Sequence, residues 1–251
     1  MNQSSSTSSL SAIGFIAVAA LSVCLACSGC KDVPHHAEDP ASTPAPTPAL
    51  APTPTPQQQS ATQSPSPSAQ DLIVCFGDSL TAGFGTDPGE SYPDVLQQLL
   101  DARDYRYHVV NAGISGDTTK DGLDRIARVI ARHPHLVVIE FGGNDGLRGL
   151  PLEQTQANIA SMIQQLQQSG AQVVLAGITL PPDYGPDYIK KFDAMYPALA
   201  KKYHVRLLPF ILKNVYGVPG DMQPDNTHAT AQGNKQVAAN IEALIQPLLK
   251  H

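Results

Sequence analysis

The sequence predicts an α/β domain of three layers, with helices on both faces of a five-stranded parallel sheet. The first observation is a set of short apolar runs of strand length, at residues 72–76, 108–111, 136–141, 173–177 and 205–210. The second is that amphipathic stretches separate these runs along the chain. Uninterrupted apolar strands that alternate with helices are typical of a parallel sheet buried on both faces.

Three of the intervening stretches show the period of an α-helix. Their apolar residues recur three, four or seven positions apart, a spacing that places them on one helix face. The three stripes are Leu123, Ile126, Ala127 and Ile130; Leu152, Ile159, Ile163 and Leu166; and Val237, Ile241, Leu244 and Leu248. Each stripe is expected to pack against the sheet.

Only residues 71–251 have the composition of a folded domain. Residues 1–30 carry no charged side chain, and residues 12–26 form an apolar stretch of the length of a signal-peptide core. Residues 31–70 are rich in Pro, Thr, Ser and Gln, and ten of the 22 prolines of the chain fall between Pro34 and Pro67. Such a segment has too few large apolar side chains to form a core, so we expect a disordered, extended tether.

The end of the apolar stretch resembles a bacterial lipobox. Small residues precede Cys30, which is the best candidate for acylation. Two features depart from that pattern, because Cys27 stands where such boxes usually have Leu and no Lys or Arg precedes the stretch. Acylation of Cys27 or Cys24, an uncleaved anchor and ordinary secretion stay open. The expectation is an exported lipoprotein of the bacterial cell envelope, held at a membrane by its N-terminus.

Charge and cysteine content exclude several classes of function. The net charge is −6, and no basic run of five or more residues occurs, which argues against a nucleic-acid partner. Residues 71–251 contain a single cysteine, Cys75, so no disulfide can form within this part, and core packing is its expected role. No His or Cys cluster has zinc spacing, so no metal or cofactor is expected. A single domain on a tether is expected to be monomeric.

Four polar or glycine-rich segments follow the predicted strands. They are residues 77–80, 111–116, 142–145 and 225–228. The carboxyl ends of parallel strands meet at one edge of a sheet, and ligands bind there. The four segments, distant in sequence, are therefore expected to converge on one rim.

One of these segments contains a serine and another contains a histidine that could activate it. A serine hydroxyl is a weak nucleophile until a base accepts its proton, so Ser79 requires a histidine within hydrogen-bond reach. Among the six histidines of residues 71–251, only His228 has an aspartate, Asp225, three positions before it. A turn there would let the carboxylate hold the imidazole in the required tautomer.

Through these segments the chain resembles the SGNH or GDSL hydrolases, and the resemblance covers essentially all of residues 71–251. Gly-Asp-Ser-Leu at 77–80, Gly113, Gly-Gly-Asn-Asp at 142–145 and Asp-x-x-His at 225–228 match the four motifs in family order. Residues 77–85 and 180–188 are most similar to the exported bacterial thioesterases, arylesterases and lysophospholipases. The resemblance implies a flavodoxin-like fold and an acyl-enzyme on Ser79, without a cofactor. It assigns the oxyanion to the backbone N–H groups of Ser79 and Gly113 and to the Asn144 amide.

The substrate is harder to predict than the chemistry. Leu180, Pro181 and Tyr184 lie in a loop that could form an apolar wall for an acyl chain. The expected substrates are acyl esters, lysophospholipids or thioesters. A polysaccharide O-acetyl esterase is the alternative within enzymes, because family members with the same motifs have that activity. A catalytically silent binding module is the alternative outside enzymes.

Overall fold

A computed structural model describes residues 72–250. The predicted export segment, the candidate acylation site Cys30 and the tether lie outside the described residues. Within residues 72–250, no helix is both long enough and apolar enough to span a bilayer.

Five parallel strands form a single sheet, as the sequence predicted. They are β1 (Leu72–Gly77), β2 (His108–Gly113), β3 (Leu136–Glu140), β4 (Gln172–Ala176) and β5 (Arg206–Leu208). Their order across the sheet is β2-β1-β3-β4-β5, with every neighbouring pair parallel. From β1 the chain runs to β2 on one side, then crosses over to β3 on the other side of β1, and this reversal places a crevice beyond the carboxyl end of β1.

Helices of two layers cover the sheet. They are α1 (Ser79–Ala82), α2 (Tyr92–Asp101), α3 (Thr119–Ile130), α4 (Gly143–Leu147), α5 (Leu152–Gln168), α6 (Pro186–Tyr203) and α7 (Ala231–Ile245), with single 3₁₀ turns at Pro182–Tyr184 and Gln246–Leu248. Helix α2 packs against α7, whereas α5 packs against both α3 and α6. The predicted stripes account for much of this packing, since Ile126, Ile159, Ile163, Leu166, Val237 and Ile241 are all buried.

Cys75 lies in the middle of β1 with no exposed surface. Burial raises the pKa of its thiol to about 12. Because the thiolate is the reactive form, this cysteine is a core residue, in agreement with the sequence.

Candidate active site

The predicted serine and histidine meet at the carboxyl edge of the sheet. Ser79 is the first residue of α1, directly after β1, and His228 lies in the segment that leads into α7. Ser79 Oγ is 2.8 Å from His228 Nε2. This is hydrogen-bond distance for a nucleophile and its base, across 149 residues of sequence.

Asp225 holds the other side of the imidazole. Its Oδ2 lies 2.7 Å from His228 Nδ1, so Nδ1 carries a proton and Nε2 is the free acceptor. Its Oδ1 accepts hydrogen bonds from the backbone N–H groups of Thr227 (2.9 Å) and His228 (3.1 Å). The backbone of this turn therefore holds the Asp225 carboxylate in the position from which it contacts the imidazole.

The charge of Asp225 is stabilised by these contacts. Partial burial acts to raise the pKa of Asp225, but the hydrogen bonds from the His228 ring and from the two backbone N–H groups hold the pKa below its ordinary value. The side chain of His228 is 16% exposed and that of Asp225 is 42% exposed, so the imidazole is the more protected partner.

Phe84 and Gln223 support the histidine from the solvent side. The Phe84 ring lies 4.7 Å from the imidazole, centroid to centroid, and is 51% exposed. Gln223 Nε2 donates to the carbonyl oxygens of Phe84 (2.7 Å) and Ala229 (2.9 Å). The backbone N–H of Gln223 donates to the carbonyl oxygen of His228 (2.8 Å). The loop after β1 is thereby joined to the histidine loop.

Asn144 lies in α4, beside the serine. Its Nδ2 donates to Asp78 Oδ2 (3.2 Å) and to the carbonyl oxygen of Asp117 (3.0 Å). Both N–H bonds of this amide are thus satisfied within the protein. Gly142 has a φ of 120°, and a Cβ there would lie 2.6 Å from the Tyr196 hydroxyl, so the turn that positions Asn144 requires glycine.

The N–H of Gly113, which the family resemblance assigned to the oxyanion, already has an acceptor within the protein. The N–H belongs to the last residue of β2 and donates to Asn111 Oδ1 at 2.9 Å. A Cβ at Gly113 would lie 2.2 Å from Ala82 N. The glycine is therefore required for close packing of α1 on β2.

Gly116, three residues further along the chain, has the properties expected of the backbone N–H donor that the family resemblance assigned to Gly113. It is the third residue of a turn closed by the hydrogen bond from Asp117 N–H to Ile114 O (3.2 Å), and its φ is +88°. Such turns require a positive φ at this position, which favours glycine. Within residues 72–250, the N–H groups of Gly116 and Ser79 have no acceptor. The Gly-Asp dipeptide at residues 116–117 is the sequence signal that could have identified Gly116.

Two buried carboxyl groups lie beneath Ser79. Asp78 is 3% exposed and Glu140 is fully buried. Glu140 Oε2 accepts from the Thr81 hydroxyl (2.9 Å) and from Asp78 N–H (3.4 Å), and Asp78 Oδ1 accepts from Leu80 N–H (3.1 Å). Burial raises the pKa of Asp78 to about 6, and burial together with the Asp78 charge raises the pKa of Glu140 well above its ordinary value. The two carboxyl groups therefore resist being charged at the same time.

Asp145 links α4 to two further helices. Its carboxylate accepts from the backbone N–H of Thr119 (2.8 Å) and the Thr119 hydroxyl (2.5 Å), at the start of α3. It also accepts from the Thr155 hydroxyl of α5 at 3.2 Å. The aspartate joins the start of α3 to α4, so it supports the short helix that carries Asn144.

A largely apolar cleft of about 270 Å³ opens beside Ser79 and His228. Leu180 and Pro181 line it, as the sequence suggested, whereas Tyr184 is not among its lining residues. Tyr184 instead donates its hydroxyl to the carbonyl oxygen of Leu147 at 2.8 Å. Sequence reasoning missed half of the wall, which is formed by Leu147, Ile178, Phe210, Leu212 and Tyr216. These residues come from segments whose own pattern carries no chemical signal.

Among the residues that the structure describes, no group of three or more His, Cys, Asp or Glu side chains is placed to hold a metal ion.

Residues 75–236 match the model of the GDSL-like Lipase/Acylhydrolase family. The chain belongs to this family. It is accordingly an enzyme of the GDSL hydrolases, and the α/β fold with its parallel sheet is the fold of the solved members. The sequence prediction of family and fold is confirmed.

Individual relatives match about seven tenths of this chain and most of their own length. Esterase TesA of Pseudomonas aeruginosa is 45% identical over 183 residues, which are 72% of this chain and 90% of that protein. Thioesterase 1/protease 1/lysophospholipase L1 of Escherichia coli K12 is 38% identical over 185 residues, or 73% of this chain and 88% of that protein. A crystal structure of TesA aligns with a TM-score of 0.68 at 45% identity, over 71% of this chain and 99% of the solved one.

Proposed function

We propose that this GDSL hydrolase cleaves acyl esters and thioesters through an acyl-enzyme on Ser79. The observation that carries the proposal is the aligned row of Asp225, His228 and Ser79, with contacts of 2.7 and 2.8 Å. This row has the order and distances of a nucleophile, its base and the carboxylate that orients the base. The names of the relatives, an esterase and a thioesterase/lysophospholipase, support the same substrate class.

The proposed reaction has two stages, formation of the acyl-enzyme and its hydrolysis. His228 Nε2 accepts the Ser79 proton while Oγ forms a bond to the carbonyl carbon, and the carbonyl oxygen becomes an anion. When the bond to the leaving alcohol or thiol breaks, His228 returns the proton to it. A water molecule, deprotonated by His228, then attacks the acyl carbon, and the proton passes to Ser79 as the carboxylic acid leaves.

Three donors are proposed for the oxyanion: the N–H groups of Ser79 and Gly116 and the amide of Asn144. Gly116 replaces Gly113, whose N–H is already bonded to Asn111. Because Asn144 Nδ2 donates to Asp78 and Asp117 at rest, the oxyanion must take one of these two hydrogen bonds. Each donor of this kind typically stabilises the transition state by about 3 kcal/mol.

The cleft is proposed to bind the acyl chain. Its side chains are mostly apolar, and Leu147 and Tyr216 extend the apolar surface outward, being 38% and 53% exposed. A cleft of about 270 Å³ is at the lower end of small-molecule sites. These features favour a medium acyl chain over an acetyl group, and so an acyl esterase over the polysaccharide deacetylase. The aligned Ser79 and His228 argue against a silent binding module.

The cellular setting is proposed from the sequence alone. An apolar stretch, the candidate acylation site Cys30 and a proline-rich segment precede the domain. They support an exported, lipid-anchored monomer of the cell envelope. Labelling with a radioactive fatty acid would test this, since label in wild type but not in Cys30→Ser is expected. Label retained in Cys30→Ser would move the site to Cys27 or Cys24.

The activity is tested by hydrolysis of p-nitrophenyl esters from acetate to palmitate, with Ser79→Ala as the matched control. Ser79-dependent turnover that peaks at medium chain length is expected. A peak at acetate would favour the deacetylase. If no ester is cleaved, failure of a fluorophosphonate to label Ser79 would overturn the proposal.

A further inference from the structure

Arg125 is a partly buried arginine that reaches the active-site rim from α3. Its side chain is 15% exposed. Nε donates to Asp117 Oδ2 at 2.7 Å, Nη1 donates to Ala112 O at 2.8 Å, and Nη2 donates to Gly77 O at 2.9 Å. One guanidinium therefore bonds to three separate segments of the chain.

Each acceptor stands next to a part of the proposed chemistry. Gly77 ends β1 and precedes Asp78 and Ser79, and Ala112 is the second-to-last residue of β2. Asp117 directly follows Gly116, whose N–H we assign to the oxyanion. The guanidinium thus fixes the Gly116 loop relative to the strand that carries the nucleophile.

Asp117 also connects this arginine to Asn144. Its side chain accepts from Arg125, while its backbone oxygen accepts from Asn144 Nδ2 at 3.0 Å. The Asp117 carboxylate is itself only 14% exposed, so water does not compete strongly for the ion pair. A displacement of Asp117 would move two of the three proposed oxyanion donors together.

Two aromatic rings orient the guanidinium group of Arg125. The guanidinium carbon lies 4.4 Å from the centroid of Phe76 and 5.7 Å from that of Phe141. Stacking orients the flat group so that its N–H bonds diverge toward three acceptors. A lysine ammonium has the same charge but cannot reproduce this fork.

We propose that Arg125 is the positioning residue of the oxyanion pocket, which it assembles by joining Gly77, Ala112 and Asp117. This inference rests on the proposed function of the same site. Oxyanion donors stabilise the transition state only when they are in place before charge develops. Neither Arg125 nor Asp117 lines the acyl cleft, so the arginine should affect the transition state and leave substrate binding unchanged.

The test compares full-length wild type with Arg125→Ala, Arg125→Lys and the control Arg206→Ala. Arg206 also bonds to a backbone carbonyl, that of Leu244 at 3.0 Å, but lies in β5 away from the site. For Arg125→Ala we expect kcat on p-nitrophenyl butyrate to fall about 100-fold, with KM within about threefold. Affinity for an alkyl boronic acid, whose adduct places an oxygen in the pocket, should fall by a similar factor.

Two further measurements separate positioning from a merely structural role. Guanidinium chloride at tens of millimolar should restore part of the kcat of Arg125→Ala, whereas Arg125→Lys should recover less than tenfold. An unchanged kcat, a loss shared equally by Arg206→Ala, or a fall in kcat with full boronate affinity would overturn the proposal.

A second variant decides the matter if Arg125→Ala does not fold. Asp117→Asn leaves the backbone oxygen in place and removes the ion pair, so kcat and boronate affinity should fall together by about tenfold. Unchanged values would reject the role of Arg125. Failure of the proposed function is separate, because it would appear as the absence of Ser79-dependent turnover in wild type.

Discussion

The Tyr184 hydroxyl donates a hydrogen bond to the carbonyl oxygen of Leu147, 2.8 Å away, and joins the loop after β4 to the end of α4 beside the acyl cleft. Leu147 faces the cleft from one side, and Leu180 and Pro181 face it from the same loop as Tyr184. Tyr184 therefore contacts a residue that lines the cleft without lining it itself, whereas the sequence predicted Tyr184 in the wall.

Replacing Tyr184 should change chain-length preference. In Tyr184→Ala the loop loses its link to Leu147, so kcat/KM for octanoate esters should fall more than that for acetate. Tyr184→Phe is the matched control for the ring and should lose a smaller part of the preference, because only the hydrogen bond is removed. Equal losses on acetate and octanoate would show that the tyrosine does not shape the acyl site.

The pH dependence of turnover should follow the imidazole. Only neutral His228 can accept the Ser79 proton, so kcat/KM should rise with pH as the imidazolium loses its proton. The pKa of Asp225 is held below its ordinary value, so its carboxylate stays charged throughout this rise. In Asp225→Asn the ring loses its orienting charge, and kcat should fall by several orders of magnitude. A kcat/KM that does not rise with pH would count against His228 as the base.

The buried acid Asp78 should oppose folding as the pH rises. Its pKa is about 6 in the folded protein, against about 3.8 ordinarily, so the folded state binds more protons between these values. Its contribution to the free energy of unfolding is therefore highest below pH 4 and declines by about 3 kcal/mol up to pH 7. In Asp78→Asn this decline should be absent.

Urea unfolding at a series of pH values measures that contribution as the difference between wild type and variant. Asp124→Asn, which removes an exposed carboxylate of the same type, serves as the control. Parallel stability curves for wild type and Asp78→Asn would contradict the raised pKa.

The two loop glycines should respond differently to alanine. A Cβ at Gly113 would lie 2.2 Å from Ala82 N, so Gly113→Ala should lower the free energy of unfolding by about 3 kcal/mol or more. At Gly116 the nearest atom to a Cβ is 3.9 Å away, and the cost is mainly that of the positive φ, about 1 kcal/mol. Gly116→Ala should instead lower kcat, because the strained turn moves its N–H. Thermal unfolding and kcat on both variants decide between the roles, and the reverse pattern would restore Gly113 as the donor.

The sequence by itself determined the strand pattern, and hence the sheet. Apolar runs such as that of β3 are continuous because the strand is buried on both faces, and this signal is local. The sequence also predicted Ser79, Asp225 and His228 as a candidate site from their placement and spacing, and the family resemblance added Asn144. The partner of Ser79 was found because Asp225 and His228 lie on one turn.

Only the tertiary structure decided which N–H groups are free. Gly113 and Gly116 both follow β2 in a polar segment, and nothing local shows that Asn111 occupies the first while the second faces no acceptor. The same holds for Arg125, whose three acceptors lie 8, 13 and 48 residues away in sequence. Hydrogen bonds between distant segments depend on chain path and packing, which a pattern of neighbouring residues does not encode.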